Sequence, residues 1–267
     1  MIITSVVTTS HRAGPEQITL ARKFSEELGV PLVPRENLSL SALINKYQVK
    51  GAVVVTLDKV YFYMNEQEFF FHPNMSVVRI KDIKSGKTDQ MIKAMDLKPG
   101  NSVLDCTLGF GADAIVASYI AGETGSILGL EASPIIAVLV RYGLENYPIK
   151  CKLLSLCMKN ISVINTHHYD YLRRAREDSF DIIYFDPMFR QPKLKSTNLA
   201  PLRMLANPEP LTIETLKEAV RVARKRVVVK ERRNSTEFKR LGINRIEGGK
   251  YAPIVYGVVD KQGGVKY

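Results

Sequence analysis

The chain has 267 residues, 45% of them hydrophobic and 24% charged. That length holds one large domain or a medium domain with a small one, and the composition is that of a globular chain rather than a disordered one. The formal net charge is +11. It is focused: residues 190–250 carry 16 basic and 6 acidic side chains, the footprint expected of a polyanion-binding surface.

No apolar run approaches the roughly 20 residues of a membrane-spanning helix. No basic stretch precedes an apolar core at the N-terminus, so no secretory signal is expected. Three cysteines, Cys106, Cys151 and Cys157, are too few and too unevenly placed for a disulfide framework or a structural zinc site. The expectation is a cytoplasmic protein that uses neither membrane nor metal.

Residues 15–28 read as a helix, with Pro15 in the first turn and Gly29 and Pro31 ending it. Residues 38–47 read as a second, short helix. The period then changes to that of strands at residues 52–56, 60–64 and 68–72, with a turn at Asn65–Glu68 between the last two. A polar bridge, KDIKSGKTDQ, follows at 81–90. The expected organisation is a small α+β domain over 1–90 and a second domain over 91–267.

From Asn101 onward strand and helix alternate. Strands are expected at 103–107, 127–130, 161–165, 180–185, 227–230 and 254–259. Helices are expected at 113–121, 134–146 (with Ser133 as N-cap), near 169–176 and at 212–222. Repeated βα units give a mostly parallel sheet with helices on both faces. Such folds bind ligands beyond the carboxyl ends of their strands.

The first of those strand ends reads Asp105-Cys-Thr-Leu-Gly109-Phe-Gly111-Ala-Asp113. Two glycines let the backbone turn tightly and approach a ligand, and the next helix presents free N–H groups. Glu131, twenty residues after Gly111, is suited to the hydroxyls of a ribose. Gly109-x-Gly111-x-x-Ala114 also satisfies a dinucleotide fingerprint, which leaves an NAD-dependent oxidoreductase open. Asp105 at the strand end, however, would repel a pyrophosphate and suits a cationic, phosphate-free ligand such as S-adenosylmethionine. No Tyr-x-x-x-Lys pair or placed histidine offers a hydride-transfer acid.

The strand at 180–185 runs into Asp186-Pro187-Met188-Phe189. This is similar to the (Asp/Asn)-Pro-Pro-(Tyr/Phe) motif of class I methyltransferases acting on planar amines. The lone pair of such an amine is delocalised into its ring. A carboxylate at Asp186 and the carbonyl preceding Pro187 would both accept from the NH2, and Phe189 would stack on the base. A base inside a duplex would first have to be extruded.

The segments VLDCTLGFGADA, LGLEASP and FDIIYFDPMF together resemble the bacterial family of 16S ribosomal RNA guanine-N2 methyltransferases of the small subunit. The resemblance runs over about residues 100–195. It implies a Rossmann-like class I sheet, mostly parallel with an antiparallel last strand, behind a small N-terminal α+β domain. It further implies S-adenosylmethionine as methyl donor, and ribosomal RNA or the small ribosomal subunit as partner. On the matching positions, Asp105, Gly109, Gly111, Ala112, Asp113, Glu131, Ala132, Tyr169, Asp170 and Asp186 would line the donor site. Asp186, Pro187 and Phe189 would form the catalytic motif. The chain departs from the family at Ala112 and Ala132, where basic or polar residues are common.

For the RNA backbone, Lys193 and Lys195 beside the motif and Arg232 and Arg233 beyond the 227–230 strand are the expected phosphate contacts. His167 and His168 are adjacent and lack a metal-ligand spacing. The aromatic residues at 61–63 and 69–71 read as cross-strand packing. Two other readings stand beside the first: an adenine N6 acceptor, and an RNA-binding protein of the same fold without turnover.

Overall fold

β-branched runs and capped helices divide the chain into two compact units. A computed structural model describes residues 4–187, 205 and 209–261. The first unit holds residues 4–72 together with Ser133–Pro148, and the second holds Pro73–Ala132, 149–187 and 209–261. The sequence reading divides the chain near residue 90. In the structure the contacts divide it at Pro73 instead, and the helix at 134–146 groups with the first unit.

In the first unit β1 (Ser5–Thr9), β2 (Gly51–Val55), β3 (Val60–Met64) and β4 (Gln67–Phe69) form a sheet in that order. β1 runs parallel to β2, and the other pairs are antiparallel. Helix α1 (Pro15–Leu28) starts at Gly14, whose N–H donates to Gln17 Oε1 at 3.0 Å. Helix α2 (Leu40–Lys46) is capped by Ser39. Val6, Val33, Leu43, Ala52, Val54 and Tyr61 form a buried cluster. β1 has no counterpart in the sequence reading: its five residues become a strand only by pairing with β2, more than 40 positions away.

The second unit opens with α3 (Asn74–Lys84) and α4 (Gln90–Met95), the latter capped by Asp89. α3 runs into the segment read from sequence as a polar bridge. Its exposed valines and lysines lack a clean helical stripe, which hides it from a periodicity argument. There follow β5 (Ser102–Asp105), α5 (Ala112–Ala121), β6 (Ser126–Glu131), α6 (Pro134–Asn146, of the first unit), α7 (Lys152–Lys159), β7 (Ile161–Asn165), α8 (His168–Arg174) and β8 (Phe180–Phe185). The chain continues with α9 (Ile213–Val222), β9 (Ala223–Arg232), α10 (Glu237–Arg240), β10 (Arg245–Glu247) and β11 (Ile254–Asp260).

These strands make one seven-stranded sheet in the order β10-β11-β9-β8-β5-β6-β7. β5 through β9 are parallel, and β11 is antiparallel to β9. One face packs Leu104, Leu130, Ile183, Phe185, Val227 and Val229 against Leu172, Leu216, Ala219, Val222 and Phe238 from α8, α9 and α10 and against Leu241, the C-cap of α10. The other face carries α4 over β9 and β11 and α5 over β5, β6 and β7. From β5 the chain winds first towards β7 and then back to β8. The strand order therefore reverses between β5 and β8, which opens a ligand crevice at their carboxyl ends. Among the described residues no helix is long and apolar enough to cross a membrane.

Candidate active site

Two strand ends meet at that crevice. β5 ends at Asp105, which is 2% exposed, and β8 runs into Asp186. Asp105 accepts from the Thr107 N–H at 3.0 Å, and Thr107 Oγ1 accepts from the Asp186 N–H at 2.6 Å. Burial pushes the Asp105 carboxyl up to about 8, with the charges of Asp113 and Asp186 adding to the rise. At neutral pH it therefore carries a proton.

The loop from Thr107 to Gly111 depends on its glycines. Gly109 and Gly111 sit at φ +52° and +74°, in the left-handed region. A Cβ on Gly109 would meet nothing within 4 Å, so the conformation requires glycine and the space above it is open. The Gly109 N–H donates to Glu131 Oε2 at 2.9 Å. Glu131 is 7% exposed at the end of β6. Its carbonyl accepts from Asn165 Nδ2 at 2.7 Å and the Thr166 N–H at 3.0 Å, which fixes the ends of β6 and β7 together. Gly111 caps α5, and Ala112 and Asp113 form its first turn.

After β7, His167 caps α8, and Tyr169 and Asp170 follow in the first turn, Asp170 being exposed. His168 meets the Phe185 ring edge-on at 5.7 Å. Burial, then His167, pushes the His168 imidazole down to about 4, so it is neutral at physiological pH. Among the described residues no group of three or more His, Cys, Asp or Glu side chains could hold a metal ion.

Sequence reasoning missed the cations of the site. Side chains alternate along strands, so Tyr184 and Asp186 on one strand and Val228 and Lys230 on its neighbour turn to one face. Lys230 Nζ lies 2.7 Å from Asp186 Oδ2 and 2.9 Å from Asp113 Oδ2. The Tyr184 hydroxyl donates to Asp113 Oδ2 at 2.7 Å. Arg79 of α3 donates to Asp113 Oδ1 and, through Nε at 2.7 Å and Nη2 at 3.0 Å, to Asp89. Burial would raise the Asp113 carboxyl, but Lys230 and Arg79 outweigh it and hold it far below the usual range. Asp186 is pushed up to about 6, by burial first and then by Asp113, with Lys230 pulling the other way. A lysine ending the apolar run VVVK was the one hint in the sequence; nothing marked Arg79.

The remaining expected residues fall as follows. Phe189, Lys193 and Lys195 lie outside the described residues. Arg232 ends β9, opposite Ile254. The Arg233 guanidinium donates to the carbonyls of Ala252 and Gly249. Much of the basic segment is likewise engaged internally. Arg221 and Arg224 donate to backbone carbonyls, Arg226 and Arg245 pair with Asp260, and Arg240 pairs with Glu237. Net charge along the sequence therefore overstates the cationic surface of this region.

The sheet order, the antiparallel β11 and a glycine loop at the β5 end with an acidic residue after β6 define a class I S-adenosylmethionine-dependent methyltransferase. The model of the family described as "Putative SAM-dependent methyltransferase" matches residues 64–245, and the chain belongs to that family. It is 37% identical over 255 residues to the Bacillus subtilis protein YpiP, a span of 95% of this chain and 98% of that one. It is 29% identical over 216 residues to ribosomal RNA small subunit methyltransferase J of Buchnera aphidicola, covering 74% of this chain and 85% of the relative. The crystal structure of a SAM-dependent methyltransferase from Neisseria gonorrhoeae shares the fold, with a TM-score of 0.67, 97% of each chain covered and 18% identity.

The residues present suit S-adenosylmethionine. The open cradle at Gly109 admits a ligand against backbone. Asp105, Asp113 and Asp186 crowd this edge with carboxyl groups, which favours a sulfonium and an ammonium over a pyrophosphate.

Proposed function

We propose that the protein methylates an exocyclic amine of a nucleic-acid base, guanine N2 in small-subunit ribosomal RNA. The observation that carries this reading is Asp186-Pro187 at the carboxyl end of β8, bonded through Thr107 to the donor loop. Among the described residues Asp186 Oδ1 has no hydrogen-bond partner, while Oδ2 is held by Lys230.

Bound in the crevice, S-adenosylmethionine supplies an electrophilic methyl group on a sulfonium sulfur. Gly109, Gly111 and Ala112 face it with backbone, Glu131 takes the ribose hydroxyls, and Asp105 draws in the ammonium. Ala132, Tyr169 and Asp170 flank the adenine, and Asp113 acts through the cluster it anchors. Asp186 Oδ1 and the carbonyl before Pro187 accept from the two amine hydrogens, which turns the nitrogen lone pair towards the methyl carbon. Phe189 stacks on the base. Lys193, Lys195, Arg232 and Arg233 contact phosphates, and the N-terminal region of residues 1–90 helps grip the RNA. The relatives named ribosomal RNA small subunit methyltransferase J support small-subunit ribosomal RNA as the substrate. The reading carries a cytoplasmic site of action, with the ribosomes.

The test is transfer of labelled methyl from S-adenosylmethionine to small ribosomal subunits from a strain lacking the gene, followed by mass spectrometry of the nucleosides. N2-methylguanosine supports the reading. N6-methyladenosine moves the acceptor. Absence of transfer with retained RNA binding, unchanged by Asp186→Ala, favours a binding protein.

A further inference from the structure

The charged side chains at the β8–β9 edge form a chain of alternating sign: Asp89, Arg79, Asp113, Lys230, Asp186. Four of the five are tied at more than one point. Asp89 accepts from both Arg79 and the α4 backbone. Arg79 is held by two carboxylates, Asp113 by three donors, and Lys230 by two carboxylates. Asp186, the terminal member, keeps one oxygen without a partner among the described residues. Its backbone is also fixed, through the N–H that Thr107 accepts.

We propose that Lys230 positions Asp186 for the acceptor amine, its ammonium bridging that carboxylate to the anchored Asp113. This rests on the methyl-transfer reading above. A bond from Lys230 to Oδ2 sets the side-chain torsion of Asp186, so Oδ1 is the oxygen left to face the crevice. The same bond settles what that oxygen can do. A carboxylate accepts from an amine N–H with either oxygen; a protonated carboxyl loses its charge, accepts more weakly and turns one oxygen into a donor.

The groups facing Asp186 are mostly acidic: Asp105 from β5, Asp113 from α5 and Glu231 from β9, with the Tyr184 phenol beneath. Among the described residues Lys230 is the cation in direct contact, and Arg79 lies behind Asp113. Without the ammonium, burial and the charges of Asp113 and Glu231 would drive a proton onto Asp186. A salt bridge that only held β8 to β9 would not need to end on the motif, since the strands already share a ladder through Phe185 and Val229.

The test compares wild type, Lys230→Met, Lys230→Arg and the double variant Lys230→Met/Asp113→Asn, which removes the charge Lys230 would leave unpaired. The Asp186 carboxyl is titrated by carbon-13 NMR in the protein without donor or acceptor, assigned by difference from Asp186→Asn. Methyl transfer is followed in parallel from pH 5 to 9. In wild type both readouts turn near pH 6. Lys230→Met, and the double variant if the single one does not fold, moves both turning points up by about one unit or more. It also lowers kcat at pH 7 by about 10²-fold, with little change in the KM for S-adenosylmethionine. Lys230→Arg returns both turning points towards wild type. An unmoved Asp186 titration in a folded Lys230→Met or double variant, or a loss of kcat that is the same at every pH, overturns the proposal. If wild type methylates no acceptor, the functional reading fails, and the NMR titration alone still decides whether Lys230 sets the state of Asp186.

Discussion

Thr107 Oγ1 accepts the Asp186 N–H at 2.6 Å, which joins the loop after β5 to the motif after β8 by one hydrogen bond. The same threonine donates its own N–H to Asp105. One residue thus sets the spacing between the donor loop and the residue proposed to hold the acceptor. Methyl transfer needs the two in line, and a small misplacement costs rate far more than binding.

Replacing Thr107 tests that relationship. Thr107→Val removes the acceptor and leaves the Asp186 N–H without its partner, at about 1–3 kcal/mol. Thr107→Ser keeps the hydroxyl. The expected result is a kcat lowered by about 10–100-fold in Thr107→Val, near-normal kcat in Thr107→Ser, and S-adenosylmethionine affinity close to wild type in both. Equal activity in the valine and serine variants would show that the bond does not set the geometry.

Much of this architecture is legible in the sequence, and the part that is not shares a cause. Strands β7 and β8 and helix α6 fall where the pattern puts them because their signals are local: short apolar runs, and Ser133-Pro134 at a helix start. Asp105, Gly109, Gly111, Glu131 and Asp186 lie at or just after strand ends, as expected, for the same reason. Lys230, Arg79, Tyr184 and Thr107 enter only through pairing of β8 with β9 and packing of α3 and α5, contacts between residues tens of positions apart. The basic segment misleads in the opposite direction. Residues 190–250 read as one polyanion-binding surface until the chain folds and supplies carbonyls and carboxylates to Arg221, Arg226 and Arg240.

The proposed contact between the buried Asp105 and the donor's ammonium makes binding depend on pH. Its carboxyl titrates near 8 in the free protein. An ammonium placed beside it favours the ionised form and lowers that value. Binding at pH 7 should therefore release close to one proton, and affinity should rise with pH by up to tenfold per unit before levelling near pH 8. Calorimetry at pH 7 in buffers of different ionisation enthalpy measures the proton directly. Asp105→Asn should abolish both the release and the slope. Binding with no linked proton in wild type would mean that Asp105 does not meet the cationic part of the donor.

Glu131 is the second carboxylate proposed for the donor site, and its two tasks there can be separated. It accepts from Gly109 and would accept from the ribose. Glu131→Ala removes both contacts and should weaken S-adenosylmethionine binding by about 10–100-fold, the equivalent of roughly 1.5–3 kcal/mol. Glu131→Gln keeps one acceptor oxygen for Gly109 and should lie between. Gly109→Ala adds about 1–2 kcal/mol of backbone strain at φ +52° and should perturb the loop even with Glu131 intact. Calorimetric titration orders the three variants; an alanine at 131 that binds as wild type would remove Glu131 from the donor site.

Arg79 is a matter of stability before it is one of chemistry. It stands between Asp89 and Asp113, largely removed from solvent. Arg79→Met would leave two carboxylates near one another with only Lys230 and Tyr184 to balance Asp113. Breaking a buried pair in this way costs about 3–5 kcal/mol. The pH dependence has a definite sign. The Asp113 carboxyl is held below its ordinary value in the folded chain, so its stabilisation is present above the unfolded value near 3.8 and is lost as pH falls through the folded one. The penalty of Arg79→Met should therefore be largest at neutral pH and shrink in acid, where Asp113 takes up a proton. Arg79→Lys should recover only part of the loss, because an ammonium cannot reproduce the two-pronged contact with Asp89. Urea denaturation of the three proteins at pH 7 and at about pH 2.5, below the unfolded value, checks this. A penalty unchanged by acidification would mean that the arginine acts through packing of its stem rather than through its charge.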